Sequence, residues 1–500
     1  MKTFHKAITY VFVGSLMLAS GCSQKFLDVP PQGQQTPTDF FSSNSDAATS
    51  LVNAVYAKML DWNFHSFSWN GVSSITSDDA DKGSSPGDTG TDKDQLDNFT
   101  FTPSSLSFNE VWTGQYEAIA RANQALQNLP PLTINDTLKN RLIGEASFLR
   151  AYFYFNLVRC FGGVPLITKV VDPTNQTDIQ QGRVRATREQ VYALIESDLQ
   201  TAITNLPEKS QYNTNDLGRA TKGAAKALLA KVSMYEKKWN VVQQLTDEII
   251  ASGQYSLLPD YAELWRESSE NGVESVFEIQ GRGTTPNRGV QGYFESQGAR
   301  GGTTGWGWGF NTPTEDLFNF YETGDRRRDA TIIQRGTTLW DGQVVSADVE
   351  NPRYNYKAYV SRTKETYNGN TWETNKNIRV LRYAEVLLMN AEAANELGQP
   401  TKALTSLNLV RARARGGQAG VLPNVTASDQ ATLRQAIWRE RRAELAFEHD
   451  RYFDLVRQGR AAEVLRAQGK NFVAGKHELF PIPQPQIQLS GGQLTQNPGY

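Results

Sequence analysis

The sequence contains few of the residues that cross-links and metal sites require. Its 500 residues include only two cysteines and four histidines. Two cysteines allow one disulfide at most, which is too few for a disulfide-stapled scaffold. No two of His65, His449 and His477 share a helical turn or a zinc-ligand spacing. We therefore expect neither a disulfide framework nor a zinc site.

Charge of one sign and long apolar runs are also scarce. The 51 basic and 53 acidic side chains nearly cancel, for a formal net charge of −2. A chain without a basic surplus is a poor ligand for nucleic acid, and we expect no such partner. After residue 21 no apolar stretch approaches the roughly 18 residues that a membrane-spanning helix needs. The hydrophobic fraction of 39% is still enough for one large packed body.

Residues 1–21 are typical of a secretory leader. Two lysines precede an apolar run of 13 residues, Ala7 to Ala19, which is too short to span a bilayer. The small residues before Cys22 resemble a bacterial lipobox, although Leu18 lies one position further from the cysteine than usual. We expect cleavage before Cys22 and attachment of a diacylglycerol and fatty acyl anchor to it. The alternative is a plain signal peptide followed by an incidental cysteine.

The mature chain then divides into a tether and a body. Residues 22–38 are polar and contain three prolines, as a flexible tether should, and folded structure is expected over residues 39–500. If Cys22 is acylated, Cys160 has no partner, and its place on an apolar helical stripe predicts a buried thiol.

Helical periodicity dominates the body and predicts a mainly α fold with minor β structure. Helix pairs are expected roughly over residues 110–252 and 376–460, with loop-rich regions roughly over 62–108 and 253–375. Recurring pairs indicate tetratricopeptide-like units, although the usual consensus is absent. Four further predictions are a first helix over 46–61, a capping box of Thr187 with Gln190, a strand over Ser275 to Gln280 and a helix over Lys376 to Leu397.

Motifs for catalysis or cofactors are weak. The Gly83 to Gly87 stretch matches a nucleophile elbow, but polar flanks replace the strand and helix that this motif needs. The acidic cluster at Asp78, Asp79 and Asp81 lacks the remaining ligands of a calcium loop, so only loose calcium binding is left open. Tryptophans fill the Gly305 to Gly309 run, which excludes a phosphate cradle. We expect no cofactor and no enzymatic activity.

The loops do contain aromatic side chains suited to sugar rings. One face of a pyranose is a patch of C–H bonds that can lie on an indole, while its hydroxyls need polar partners at the rim. Trp62, Phe294 and Phe310 belong to the same loops. The alternative is that these aromatics cap the core beneath the loops. The candidate ligand-binding residues are Trp69, Asn70, Asp78, Asp79, Tyr293, Trp306 and Trp308.

A dense charge run extends from Arg439 to Arg457. Opposite charges three or four residues apart, such as Arg441 with Glu444 and Glu448 with Arg451, predict a structural ion-pair ladder along helix surfaces. Binding of an anionic ligand is the alternative.

Several long phrases resemble the SusD/RagB family of outer-membrane nutrient-binding lipoproteins of Bacteroidetes. They cover nearly the whole mature chain in the family's order. The phrases are Phe26-Leu27-Asp28, Phe40-Phe41, YEAIARAN from Tyr116, EASFLRAYFYFNLVRCFGGVP from Glu145, GRATKGAAKALLAK from Gly218, VLRYAEVLLMNAE from Val380, LNLVRARA from Leu407, residues 440–457, residues 480–483 and QNPGY at the end of the chain.

The resemblance implies about four tetratricopeptide-like helix pairs that support a loop-rich ligand region. It implies a lipid-anchored protein on the outer face of the outer membrane, acting with a SusC-like TonB-dependent transporter. Ligands in the family are mostly oligosaccharides or polysaccharides, and some members take peptides. Because binding positions vary among members, only the lipidation of Cys22 is carried over. A secreted glycoside hydrolase and a ligand-free assembly scaffold remain the alternatives from other functional classes.

Overall fold

The computed structural model describes residues 45–89, 91–283, 289–290, 292–367, 369, 372 and 374–500. The leader, Cys22 and the tether lie outside these residues, so the predictions made for them stay predictions. Within the described ranges, no helix has both the length and the apolarity needed to cross a bilayer.

The first segment of the body is more ordered than its sequence predicts. A helix begins at Ser45, one residue before the predicted start, but the expected irregular stretch after residue 62 consists largely of short elements. Phe64, Trp69, Val72 and Ile75 are buried there. Local side-chain bonds satisfy polar groups, as when Ser73 Oγ donates to the Trp69 carbonyl at 2.6 Å. The elements are α1 (Ser45–Lys58), α2 (Trp62–His65), α3 (Phe67–Asn70), a π-helix (Gly71–Ile75), β1 (Ala80–Gly83) and α4 (Lys93–Asn98).

A stack of longer helices follows. Its central member is buried at every residue from 144 to 161, including the Cys160 thiol, so it is packed on all sides. The capping box of Thr187 and Gln190 is confirmed at the start of another helix. The successive long helices pack against one another. The helices of this part of the chain are α5 (Leu106–Asn128), α6 (Asp136–Phe161), α7 (Gln176–Gln181), α8 (Arg188–Asn205), α9 (Lys222–Tyr235) and α10 (Trp239–Ala251).

The middle of the chain contains short strands, short helices and 3₁₀ turns. The 3₁₀ turns occupy Lys209–Gln211, Thr214–Asp216, Tyr261–Trp265 and Glu267–Ser269. The strands and helices here are β2 (Ser275–Ile279), α11 (Tyr293–Ser296), β3 (Phe310–Pro313), α12 (Glu315–Phe320), β4 (Ile332–Gln334), β5 (Arg353–Asn355) and β6 (Ile378–Arg382). Among the described residues the strands form three two-stranded antiparallel sheets, which pair β1 with β3, β2 with β6 and β4 with β5. The strand predicted from Ser275 is confirmed.

The helix predicted from Lys376 begins later than expected. Ile378 to Arg382 forms β6 on the partner strand β2, and the helix starts only at Tyr383. The pairing decides the outcome, because the branched and long side chains of this segment suit a buried strand as well as a helix. The last elements are α13 (Tyr383–Glu396), α14 (Pro400–Arg415), α15 (Gln430–Leu445), α16 (Arg451–Arg457), α17 (Ala461–Ala467) and α18 (Gln484–Leu489). The mainly α fold with minor β structure is confirmed.

Buried ion pairs join the helices to the strands. Glu444 of α15 lies at their centre, and three arginines from other segments surround its carboxylate: Arg327, Arg382 and Arg413. Burial by itself would raise the pKa of Glu444, but these arginines hold that pKa well below its ordinary value. These pairs hold the fold together, which agrees with the structural interpretation of the charge run and not with binding of an anionic ligand.

The predicted ladder along the helix surface is wrong in its partners. Arg441 pairs with Glu385 at 2.8 Å and with Asp454 at 2.6 Å. Glu448 pairs with Arg382 at 2.7 Å. Most of the charge run faces the interior, so most of its partners come from other elements. The pair of Arg457 with Asp454, at 2.7 Å along one helix, is the exception.

Replacing Glu444 with glutamine should lower the free energy of unfolding by about 3–5 kcal/mol, because it leaves buried arginines without a counter-charge. The Asp329→Asn variant removes an exposed pair with Arg328 and should cost less than about 1 kcal/mol. Denaturant unfolding of both variants measures the difference. Equal losses would contradict the central role of Glu444.

Candidate functional site

Three of the predicted ligand-binding residues lie in the interior. Trp69 and Asn70 are each only 1% exposed, and Tyr293 is buried as well. Trp69 packs against the imidazole of His65 and the ring of Phe453. The prediction that these three residues contact the ligand is therefore wrong, because a side chain without accessible surface offers no face to a sugar. The sequence shows that these residues are aromatic or polar, but not which way they point.

Asp78 and Asp79 are also buried, and both face arginines. Arg451 makes two hydrogen bonds of 2.7 Å to the Asp78 carboxylate, and Arg442 donates to Asp79 at 2.7 Å. Burial opposes ionisation of Asp78, but Arg451 and Arg442 lower its pKa well below the ordinary value. These carboxylates tie the early segment to α15 and α16, so they are not rim groups for a ligand.

The same pairing with arginines argues against loose calcium binding by Asp78 and Asp79. Guanidinium groups already occupy Asp78 and Asp79, and in the described part of the chain no three acidic, histidine or cysteine side chains are grouped as a metal site would need. Calcium therefore gains no support here.

The two tryptophans of the glycine-rich run separate in space. Trp306 packs against Tyr359, with ring centroids 5.3 Å apart, at the edge of a small aromatic core. Trp308 instead joins two other indoles. These two candidate residues therefore do not belong to one aromatic surface.

Three partly exposed tryptophans from different parts of the chain lie together and form what we call the three-indole surface: Trp62, Trp308 and Trp372. Trp62 and Trp372 are stacked with centroids 5.2 Å apart and planes 3° apart. The plane of Trp308 is tilted by 48° and 44° from these two rings. Trp372 is not among the residues predicted from the sequence to bind ligand. The sequence did indicate a loop there, because this single tryptophan lies in a stretch of asparagine, threonine and glycine.

Backbone hydrogen bonds bring the loops together on the short helix α11. The Gly292 N–H donates to the Trp372 carbonyl, and the Trp308 N–H donates to the Glu295 carbonyl, each at 3.0 Å. Gly292 has φ +67°, and a Cβ there would lie 2.7 Å from the Trp62 ring and 3.1 Å from Trp372. Glycine is therefore needed both for the turn and for the close approach of two indoles.

A polar cluster, which we call the Arg300 rim, adjoins the backbone of Trp308. The guanidinium of Arg300 donates to Ser84 Oγ at 2.7 Å and pairs with Asp88 at 2.9 Å and with Glu350 at 3.4 Å. It also approaches the Trp308 carbonyl at 3.5 Å. Indole faces beside fixed polar groups are the arrangement that binds a hydroxyl-rich ring.

The nucleophile-elbow pattern gains no support at this rim. Strand β1 precedes Ser85, but a turn follows it where the motif requires a helix.

Comparison with known proteins agrees with this architecture. The model described as "SusD family" matches residues 273–500, and the one described as "Starch-binding associating with outer membrane" matches residues 25–234. SusD-like protein P2 of Formosa agariphila is 30% identical over 520 residues, covering 99% of this chain and all of the relative. The chain belongs to the SusD family. The resemblance inferred from the sequence is thereby confirmed.

Solved structures of SusD family members superpose closely on this one. A laminarin binding SusD-like protein is 31% identical with a TM-score of 0.76, covering 92% of this chain and 100% of that one. Surface glycan-binding protein A from Bacteroides fluxus is 27% identical with a TM-score of 0.75, at coverages of 92% and 100%. A SusD homolog from Bacteroides thetaiotaomicron is 25% identical with a TM-score of 0.79, at coverages of 93% and 99%.

Replacing Gly292 with alanine should separate the stacked indoles, because the added methyl group would meet Trp62 and Trp372. Gly336→Ala is the matched control, since Gly336 also has positive φ, +79°, but has open space around its Cβ position. Both variants should lose about 1–2 kcal/mol from backbone strain. Only Gly292→Ala should alter the near-ultraviolet circular dichroism of the tryptophans, and identical spectra would contradict the packing described above.

Proposed function

We propose that this SusD family member is a cell-surface glycan-binding lipoprotein that captures an oligosaccharide or polysaccharide on the three-indole surface and delivers it to a SusC-like TonB-dependent transporter without cleaving it. The observation that carries the proposal is the meeting of three partly exposed indoles with the Arg300 rim. Indole faces take the C–H side of a sugar ring, and the rim takes its hydroxyls.

The shape of the surface favours a curved glucan. Because Trp308 is tilted by more than 40° from the two stacked indoles, the aromatic surface is angular. A chain that turns between residues, as in laminarin, can follow such an angle better than a flat cellulose-like ribbon. The name of the laminarin binding relative, 31% identical, points to the same first ligand to test.

A hydrolytic role fits the rim less well. A glycosidase needs two carboxyl groups on either side of the scissile bond, one of which carries a proton. Asp88 and Glu350 are the rim carboxylates, but both pair with the same guanidinium, that of Arg300. Such a cluster suits hydrogen bonding to hydroxyls, and the proposal therefore assigns no catalytic residue.

Two observations support the proposed membrane attachment and the proposed delivery of ligand to the transporter: the family match and the lipobox-like residues before Cys22. One matching family model is described as associating with the outer membrane. Acylation of Cys22 would hold the protein at that membrane, since each buried methylene contributes roughly 0.8 kcal/mol and two or more chains anchor stably. A tether of residues 22–38 would leave the body free to meet the transporter.

Replacing Trp308 or Trp372 with alanine should weaken laminarin binding at least about tenfold, or about 1.4 kcal/mol, because each removes one sugar-facing ring. Trp340→Ala is the matched control, since that indole is 40% exposed but lies against Arg266, outside the three-indole surface. Calorimetry measures the affinities, with a soluble cellulose derivative as the flat competitor.

Two results would contradict the proposal. Unchanged laminarin, cellulose-derivative and peptide binding in the Trp308 and Trp372 variants would place the site elsewhere. Release of reducing ends from retained laminarin would make the protein a hydrolase. Binding of peptides, but of no glucan, that is lost in the same variants would keep the site and change the ligand class.

Replacing Cys22 with serine in the full chain should move the protein from the membrane fraction to the soluble fraction, because the acyl anchor cannot form. Fractionation with metabolic labelling by a fatty acid measures this, and Cys160→Ser is the control for loss of a thiol. A Cys22→Ser protein that stays labelled and membrane-bound would exclude lipidation at this position.

A further inference from the structure

A line of buried hydrogen bonds connects His449 to the helix beneath the three-indole surface. His449 Nε2 lies 2.8 Å from the Tyr293 hydroxyl, and Nδ1 lies 2.8 Å from Ser73 Oγ. Ser73 belongs to the π-helix, and Tyr293 is the first residue of α11. One imidazole therefore ties together two segments that are more than two hundred positions apart in sequence.

The direction of each hydrogen bond follows from counting donors. Ser73 uses its hydroxyl hydrogen on the Trp69 carbonyl at 2.6 Å, so it accepts from His449 and Nδ1 carries the proton. Nε2 is then an acceptor, and the Tyr293 hydroxyl donates to it. This pattern needs a neutral imidazole, and burial lowers the pKa of His449 to about 4.

Charged neighbours on both sides hold His449 in place. Its φ is +68°, a conformation that a residue with a side chain rarely adopts. Glu448 pairs with Arg382 and Asp450 pairs with Arg159, so ion pairs fix the backbone before and after the imidazole. The energy that maintains the unusual conformation therefore comes from the buried network.

Helix α11 is in turn the common support of the indoles. Gly292 at its start bonds the Trp372 carbonyl, Glu295 within it bonds the Trp308 N–H, and Trp62 lies over Gly292. A rotation of this single turn would move all three rings relative to one another.

We infer that Tyr293 and His449 are positioning residues, whose hydrogen bond sets the orientation of α11 and through it the mutual geometry of Trp62, Trp308 and Trp372. Both side chains are buried, so neither offers a surface to a ligand. The effect on affinity rests on the proposed glycan site, whereas the effect on indole geometry does not.

The test is fluorine NMR of protein labelled with fluorotryptophan, with resonances of the ten tryptophans assigned by single Trp→Phe variants. Tyr293→Phe removes only the hydroxyl. It should shift the resonances of Trp62, Trp308 and Trp372 and weaken laminarin binding about fivefold, the effect expected for one lost buried hydrogen bond.

Tyr261→Phe is the matched control. It loses an equally buried hydroxyl, which donates to the Glu444 carbonyl at 2.7 Å, and it should leave the three resonances unchanged. His449→Gln breaks the hydrogen bonds to both Tyr293 and Ser73, and it should shift the same three resonances. The double variant with Tyr293→Phe should weaken binding no more than His449→Gln alone, because the bond to Tyr293 is already lost there.

The outcomes separate this inference from the proposed function. Unshifted indole resonances and unchanged affinity in Tyr293→Phe would overturn the positioning role even if the wild-type protein binds laminarin. If the wild-type protein binds no glycan, the proposed function fails, but a selective shift of the three resonances would still support the positioning role.

Discussion

The carboxylate of Glu444 and its arginines decide how distant parts of this chain meet. Arg382 lies where β6 becomes α13, and its guanidinium pairs with Glu444, with Glu448 and with Glu274, the residue before β2. Burying these groups is costly unless every charge finds a partner, so only an arrangement that brings α15, the sheet and α14 together satisfies them. The hydrophobic core supplies the driving force, and the ion pairs restrict the packing.

The segments that carry the three-indole surface depend on this buried network indirectly, through His449. Glu448 and Asp450 hold the chain around His449, and His449 contacts the helix on which the indoles rest. The rings themselves are placed mainly by backbone hydrogen bonds and by a glycine turn at Gly292. Such a design lets ligand-facing side chains vary while the support is kept, which accords with the variation of binding positions that the resemblance implies.

Much of the scaffold could be predicted from the sequence. The capping box at Thr187 and the strand from Ser275 are local signals, and the structure has both. The sequence predicts a helix over Ile378 to Arg382, where the structure has a strand, because the pairing with β2 depends on residues a hundred positions away. The polar composition after residue 62 predicts an irregular segment, since it conceals the short helices that tertiary burial stabilises.

The amino-acid sequence by itself determined the helical content and the family, because these depend on local periodicity and on long phrases that need no knowledge of contacts. Only the tertiary structure decided which aromatic and acidic residues face solvent. Trp69, Asp78 and Asp79 turned inward, whereas Trp62 and Trp308 met Trp372 at the surface. The physical reason is that exposure depends on the elements packed over a residue, and here those elements come from segments hundreds of positions apart in the chain.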